Sequence, residues 1–170
     1  DALPIYIMNK NMTIRIATEV GSLTLRAARE NDLGNLRQWK NEQREFFFHK
    51  DIITPELQRE WFTKFQTRNH DYMFIVELND KSMGCMGIRL LDDAWDIYNV
   101  ILGLPEYGKK GYMGKALQAM LTHAQAVSNY PITLQVLKVN PAVAWYKKNG
   151  FVATDEHADY YSLANQSNNI

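Results

Sequence analysis

The sequence of 170 residues holds a single cysteine, Cys85, which excludes a disulfide within the chain. A lone thiol fits a reducing compartment, so a cytoplasmic location is expected. Neither sign of charge is in excess: 19 Lys plus Arg are matched by 19 Asp plus Glu. That balance speaks against a basic nucleic-acid face or a polybasic membrane patch, and neither nucleic acid nor membrane is expected as a partner. No apolar run approaches the roughly 18 residues of a membrane span. The Ile5–Met8 stretch is too short, and too weakly basic in front, to serve as a secretory leader. Repeats, linkers and a second domain are also missing. The expected organisation is one domain over residues 22–170, preceded by an extension, residues 1–21, of uncertain role. Within that extension Met12–Ile16 alternates, as an added strand or a homodimer contact would.

What is present centres on Gly108-Lys109-Lys110-Gly111-Tyr112-Met113-Gly114. Ile97–Leu104 before it is an apolar run that reads as a buried strand. After it, Met113, Ala116, Leu117, Met120, Leu121, Ala124 and Val127 recur at helical spacing. A strand, a Gly-rich turn and a helix leave the first N–H groups of that helix unpaired at the positive end of its dipole. Such a site suits a phosphate or pyrophosphate, with glycine allowing close backbone approach. Two familiar phosphate loops do not fit. A P-loop needs four residues between its glycines and a hydroxyl after its lysine. Here five residues separate Gly108 from Gly114, and Ala116 follows Lys115. A dinucleotide fingerprint needs a glycine where Lys109 stands.

The stretch resembles instead the acyl-CoA loop of the GNAT superfamily of N-acetyltransferases, Q/R-x-x-G-x-G/A. Gly111 matches its central glycine, while Gly108 and Met113 depart from its first and last positions. A second resemblance follows about 30 residues on. The strand Ile132–Lys138 leads into Asn140-Pro141-Ala142 and then Trp145-Tyr146, ending at Gly150-Phe151. This is similar to the family's Asn, Tyr-bearing helix and Gly-Phe, with six steps from Asn140 to Tyr146 where seven are common. The shortening leaves Val139 as a rival for the Asn position.

The resemblance implies an α/β (α+β) GNAT fold: a mixed, mostly antiparallel sheet flanked by helices, with one parallel strand pair splayed apart. It implies acetyl-CoA as co-substrate, direct transfer to an amine acceptor, and no metal. Backbone groups of Ile101, Leu102 and Gly103 would hold the pantetheine. Those of Gly111, Tyr112, Met113 and Gly114 would hold the pyrophosphate, helped by Lys109 and Lys110, and Asn140 would bond the CoA arm. Tyr146 would protonate the leaving thiolate. The general base stays open among Asp96, Asp92, Asp93, Glu42, His49 and a water chain. Strand parity puts Asn99, not Asp96, on the face of Gly103, unless a bulge reverses it. The acceptor is expected to be a small molecule such as a nucleotide-linked amino sugar. Protein N-termini are the alternative, and a non-catalytic acyl-CoA sensor is a second one that Met113 favours.

Elsewhere Leu23–Ala27 reads as the first strand of the domain. Asn31 is expected to cap a helix that buries Leu33, Leu36 and Trp39. Thr54-Pro55 should open a second helix with a Leu57, Trp61, Phe65 stripe. Phe46, Phe47 and Phe48 cannot all face one core. They either wedge between helices and sheet or line the acceptor pocket. Tyr72–Leu78, Cys85–Leu91 and Asp96–Leu104 read as a meander, with Met83, Cys85 and Met86 as packing residues. Tyr160, Tyr161 and Leu163 suggest a closing strand, and the polar tail from Asn165 is expected to fray.

Overall fold

A computed structural model describes residues 8–166; Ile5, Tyr6 and Ile7 of the early segment and residues 167–170 of the tail lie outside that range. The sheet is eight-stranded, in the order β1-β2-β3-β4-β5-β6-β8-β7. At one edge β1 (Thr13–Ile16) pairs antiparallel with β2 (Leu23–Ala27), so the alternation of Met12–Ile16 is that of an added strand. The meander is β3 (Asp71–Leu78), β4 (Lys81–Leu91) and β5 (Ala94–Leu102), antiparallel throughout. Then α3 (Tyr112–Val127) crosses over to β6 (Ile132–Leu137), which is parallel to β5. A parallel pair needs such a crossover, and the 3.6-residue apolar period of α3 provides its buried face. After α4 (Ala142–Lys148), β7 (Phe151–Glu156) and β8 (Tyr160–Asn165) close the far edge.

β3 explains why two layers of helices exist. Tyr72, Phe74 and Val76 point into one core with Leu117, Met120 and Leu121 of α3. Met73 and Ile75 point into the other, with Leu36 and Trp39 of α1 (Leu33–Glu42) and Phe62 and Phe65 of α2 (Pro55–Thr67). A strand buried on both faces reads as a continuous apolar run, as DYMFIVEL does. Met83, Cys85 and Met86 are buried packing residues, as their composition suggests.

Two features of β5 position the site. Its pairing with β6 consists of Trp95↔Ile132 and Asp96↔Thr133, and ends there. Beyond this the strands part, which leaves the β6-facing backbone groups of β5 outside any ladder. The register with β4 also jumps, from Gly87↔Tyr98 to Cys85↔Ile101, so Asn99 and Val100 together oppose Met86. This is a β-bulge, and Asn99 sits in it at φ +48°. Asparagine tolerates that left-handed conformation better than most residues. The bulge reverses the parity expected from a regular strand. Val100 and Leu102 pack toward the α3 core, while Ile101 joins the α1/α2 core and Gly103 lies against Trp39.

Several local expectations need correction. Asn31 caps nothing; it lies in a 3-10 turn, Glu30–Asp32. The polar group organising the start of α1 is Asp32, whose carboxylate accepts from the Arg26 guanidinium (2.8 Å) and from the Arg29 N–H (2.7 Å). Thr54 does cap α2, accepting from the Leu57 N–H at 3.2 Å. The buried face of α2 is Gln58, Phe62 and Phe65, however, with Leu57 48% exposed. Leu57 faces a cavity, while Trp61 both lines that cavity and stacks on Phe65 at the edge of the core (4.8 Å). β7 escaped notice because only Phe151 in it is buried. The start of the tail does not fray: Asn165 ends β8 and the Gln166 N–H donates to the Gly150 carbonyl at 3.0 Å.

Candidate active site

The parting of β5 from β6 opens a cleft of about 1040 Å³ between Leu102, the α3 N-terminus and the start of α4. Its floor is the Gly-rich turn. Gly111 is the N-cap of α3 at φ +80°, and Lys109 is also left-handed, at φ +62°. No side chain caps α3, and its first internal bond runs from the Lys115 N–H to the Gly111 carbonyl at 3.0 Å. The N–H groups of Tyr112, Met113 and Gly114 are therefore left for a ligand. A 16-residue helix adds roughly half a positive charge there. Gly114 stays close-fitting for a different reason: a Cβ would meet Asn149 Oδ1 at 3.0 Å. An anion cradle of this kind, beside a strand with unpaired backbone groups, fits a pyrophosphate and an amide-rich arm.

Most of the residues expected to hold the cofactor come together. Leu102, Lys109, Gly111, Tyr112, Met113, Gly114 and Asn140 line the cleft. Between Asn140 and Val139 the geometry favours the former, since Val139 is 65% exposed and off the lining. Asn140 Oδ1 accepts from the Ala142 N–H at 2.9 Å, holding the entry to α4. Ile101 points the other way, into a second cavity. The Gly103 N–H is taken by the Met83 carbonyl at 2.8 Å, and Lys110 is exposed and outside the lining. Sequence reasoning missed Gln43 and Trp145, which also line the cleft, and offered Phe47 only as a possible lining of the acceptor pocket. Gln43 Nε2 donates to the Leu102 carbonyl at 2.9 Å. Only the aromatic run gave a signal for Phe47, and that run divides three ways. The Phe46 carbonyl accepts from Asn140 Nδ2 at 3.4 Å, Phe47 lines the cleft, and Phe48 packs edge-on against Tyr160 at 5.3 Å.

Tyr146 lies beneath the cleft wall, in the α3 core, between Trp145 (5.1 Å) and Phe151 (5.8 Å). Burial raises its phenol above the ordinary value, with the nearby Cys85 thiol adding to the shift, so the proton is firmly held. Cys85 is itself pushed up to about 12 by burial, and its thiol donates to the Asn99 carbonyl at 3.3 Å.

Across β5 from the cleft is the second cavity, about 230 Å³, under α1 and α2. Leu57, Trp61, Lys40, His49, Asn99 and Ile101 are among its walls. Lys40 Nζ donates to Asn99 Oδ1 and lies 3.7 Å from the centroid of the Phe47 ring, so the contact between Lys40 and Phe47 stands between a wall of one cavity and a wall of the other. Of the candidate bases, His49 and Asn99 line this cavity. Asp96 lines neither; it pairs with Arg89 at 3.0 Å at the closed end of the strand pair. Glu42 takes a hydrogen bond from Gln38, and Asp92 and Asp93 lie at the β4–β5 turn, remote from the Gly-rich loop in sequence and in the sheet. Among the described residues no cluster of three or more His, Cys, Asp or Glu could hold a metal ion, and no helix is long and apolar enough to cross a membrane.

A mixed sheet with a splayed parallel pair, a strand bulge and an uncapped Gly-rich helix start define an acyl-CoA-dependent transferase. A family profile described as acetyltransferase (GNAT) domain matches residues 22–152, and the chain belongs to that family. It is an acetyl-CoA-dependent N-acetyltransferase. No curated protein sequence matches it. Solved structures do match in fold. A domain from Methanocaldococcus jannaschii DSM 2661 superposes with a TM-score of 0.72 at 18% identity, over 84% of this chain and 97% of that one. Spermidine N-acetyltransferase from Vibrio cholerae, in complex with CoA and spermine, gives 0.69 at 23% identity, over 84% and 92%. RimL, a ribosomal L7/L12 alpha-N-protein acetyltransferase in complex with CoA, gives 0.68 at 18% identity, over 89% and 95%.

Proposed function

We propose that the protein moves the acetyl group of acetyl-CoA directly to the primary amine of a small molecule, of which a nucleotide-linked amino sugar is one example. The observation that carries this reading is the placement of two cavities back to back across the β5 bulge. The larger, with the Gly-rich helix start, suits the CoA arm. The smaller has the size of a sugar ring or an amino-acid body, and its wall includes the exposed Leu57 and one side of Trp61.

On this reading the N–H groups of Tyr112, Met113 and Gly114 hold the pyrophosphate, with Lys109 as a point charge. The backbone of Ile101, Leu102 and Gly103, where β5 ends, orients the pantetheine through groups other than the engaged Gly103 N–H, and Asn140 steadies the arm. Tyr146 supplies the proton for the leaving thiolate; its burial makes it a weaker acid than a free phenol. The amine must arrive neutral, and His49 or a water on Asn99 is placed to take its proton. Residues 22–170 form the acetyltransferase unit. The outer edge of β1 is the support for a homodimer contact. A cytoplasmic setting without nucleic-acid or membrane partners rests on the single thiol and the even charge.

The test is a thiol-release assay on one panel: free and nucleotide-linked amino sugars, spermidine, and peptides with ribosomal-protein N-termini. We expect turnover on small-molecule amines. Preference for the peptides would move the assignment to protein N-termini. Tight acetyl-CoA binding with no turnover on any amine would make the protein a sensor.

A further inference from the structure

The walls of the second cavity carry two basic side chains, Lys40 and His49, and no aspartate or glutamate. Among the described residues Lys40 has no acidic partner. Its Nζ donates to Asn99 Oδ1 and faces the Phe47 ring, and its other donors are left over. A cation withdrawn from water without a carboxylate is held at a cost. The amine reflects this, since burial lowers it to about 8. The acid-free wall is not forced by the fold. Of the carboxylates on α1, β3 and β5, Glu42 is engaged by Gln38, Asp71 by Tyr98 and Asp96 by Arg89.

We propose that this cavity receives an acceptor amine that also carries an anionic group, a carboxylate or a phosphate, with Lys40 as its counter-charge. The inference rests on the acetyl-transfer reading above and adds the chemical class of the acceptor. The anion would supply the missing partner of Lys40 and occupy its remaining donors, while Trp61 and Leu57 cover the acceptor's apolar body. A polyamine would instead bring further positive charge to a wall that already holds two bases, an arrangement that rejects by repulsion.

The experiment compares matched pairs on the purified full chain saturated with CoA: glucosamine 6-phosphate against glucosamine, and alanine against alaninamide, with spermidine as the cationic probe. Calorimetry gives affinity without any need for turnover, and thiol release with acetyl-CoA gives rate. We expect at least one anion-bearing member to bind roughly tenfold or more tighter than its partner lacking the anion, a difference worth about 1.4 kcal/mol or more. Which pair responds tells phosphate from carboxylate. Lys40→Met should erase the difference within that pair and Lys40→Arg should retain much of it, with circular dichroism confirming folding. If Lys40→Met does not fold, the wild-type pairs and Lys40→Arg still decide. Equal affinity within both pairs, tighter binding of spermidine, or a pair difference that survives Lys40→Met would overturn the proposal. Selective binding without acetylation would leave the anion site standing and overturn the acetyl-transfer reading instead.

Discussion

Gly84 of β4 and Met113 of α3 are matched. A Cβ on Gly84 would lie 3.2 Å from Met113 Sδ and would collide with the Ile101 carbonyl oxygen. The methionine occupies a loop position where the family resemblance calls for a small residue. Its thioether packs toward the α3 core beside the glycine, and its N–H stays at the open helix start. Met113→Ala should therefore cost stability, about 1–3 kcal/mol for a partly buried side chain, and leave acetyl-CoA affinity nearly unchanged. Gly84→Ala should cost about 1–3 kcal/mol as well. Combining the two should not rescue Gly84→Ala, because the harder contact is with backbone. Urea unfolding checks both, and full rescue in the double variant would refute the backbone explanation.

Gly111 gives a second prediction. No atom stands within 4 Å of where its Cβ would be, so a side chain meets no clash within the protein. The demand is conformational, at φ +80°. Gly111→Val should strain the turn by about 1–3 kcal/mol and shift the helix start, weakening CoA binding severely. Gly111→Asn should bind far better, because asparagine visits this region. Calorimetry with CoA separates them; parent-like affinity in Gly111→Val would remove the loop from the cofactor site.

Lys40 gives a pH dependence. Its amine is near 8 in the folded chain, lowered chiefly by burial, against about 10.4 when unfolded. Between those values the unfolded state binds more protons, so this residue's contribution makes stability rise with pH. Below about pH 8 both states are charged and the burial penalty is present in full. Relative to Lys40→Met, the parent should gain on the order of 1–3 kcal/mol from pH 8 to 10.4. Denaturant titrations of both proteins across that range measure it, and a constant difference would show that Lys40 is not desolvated.

Tyr146→Phe keeps the ring between Trp145 and Phe151 and deletes only the hydroxyl. If the phenol protonates the thiolate, turnover should fall by about 10²–10⁴-fold with CoA affinity held. A parent-like rate would take Tyr146 out of the mechanism and leave it as a core residue.

Much of this architecture was legible in the chain because strong periodicities carried it. The meander, the crossover helix and β6 follow from apolar alternation and a 3.6-residue repeat, and Thr54-Pro55 marked α2 by its cap. Weakly patterned parts were not legible. β7 presents one buried residue, so alternation had nothing to show. The apolar stripe of α2 held for Trp61 and Phe65 and misled at Leu57, which serves a cavity; a sequence does not say whether an apolar side chain faces core or ligand. The bulge at Asn99 was allowed for but not decided, for a related reason: it depends on register with β4, a long-range property. That bulge set the faces of Asp96 and Ile101, and with them the second cavity. The burial of Lys40 was not legible, since a lysine on an amphipathic helix is ordinarily solvated.

The most direct measurement follows both products of one reaction. Purified protein, acetyl-CoA and the best amine of the panel are mixed, and mass spectrometry quantifies free CoA and acetylated amine over time. We predict that the two appear together, in equal amounts and well beyond one turnover. Acetyl-CoA that stays bound and intact, with no acetylated amine formed on any acceptor of the panel, would contradict enzymatic N-acetylation by this chain.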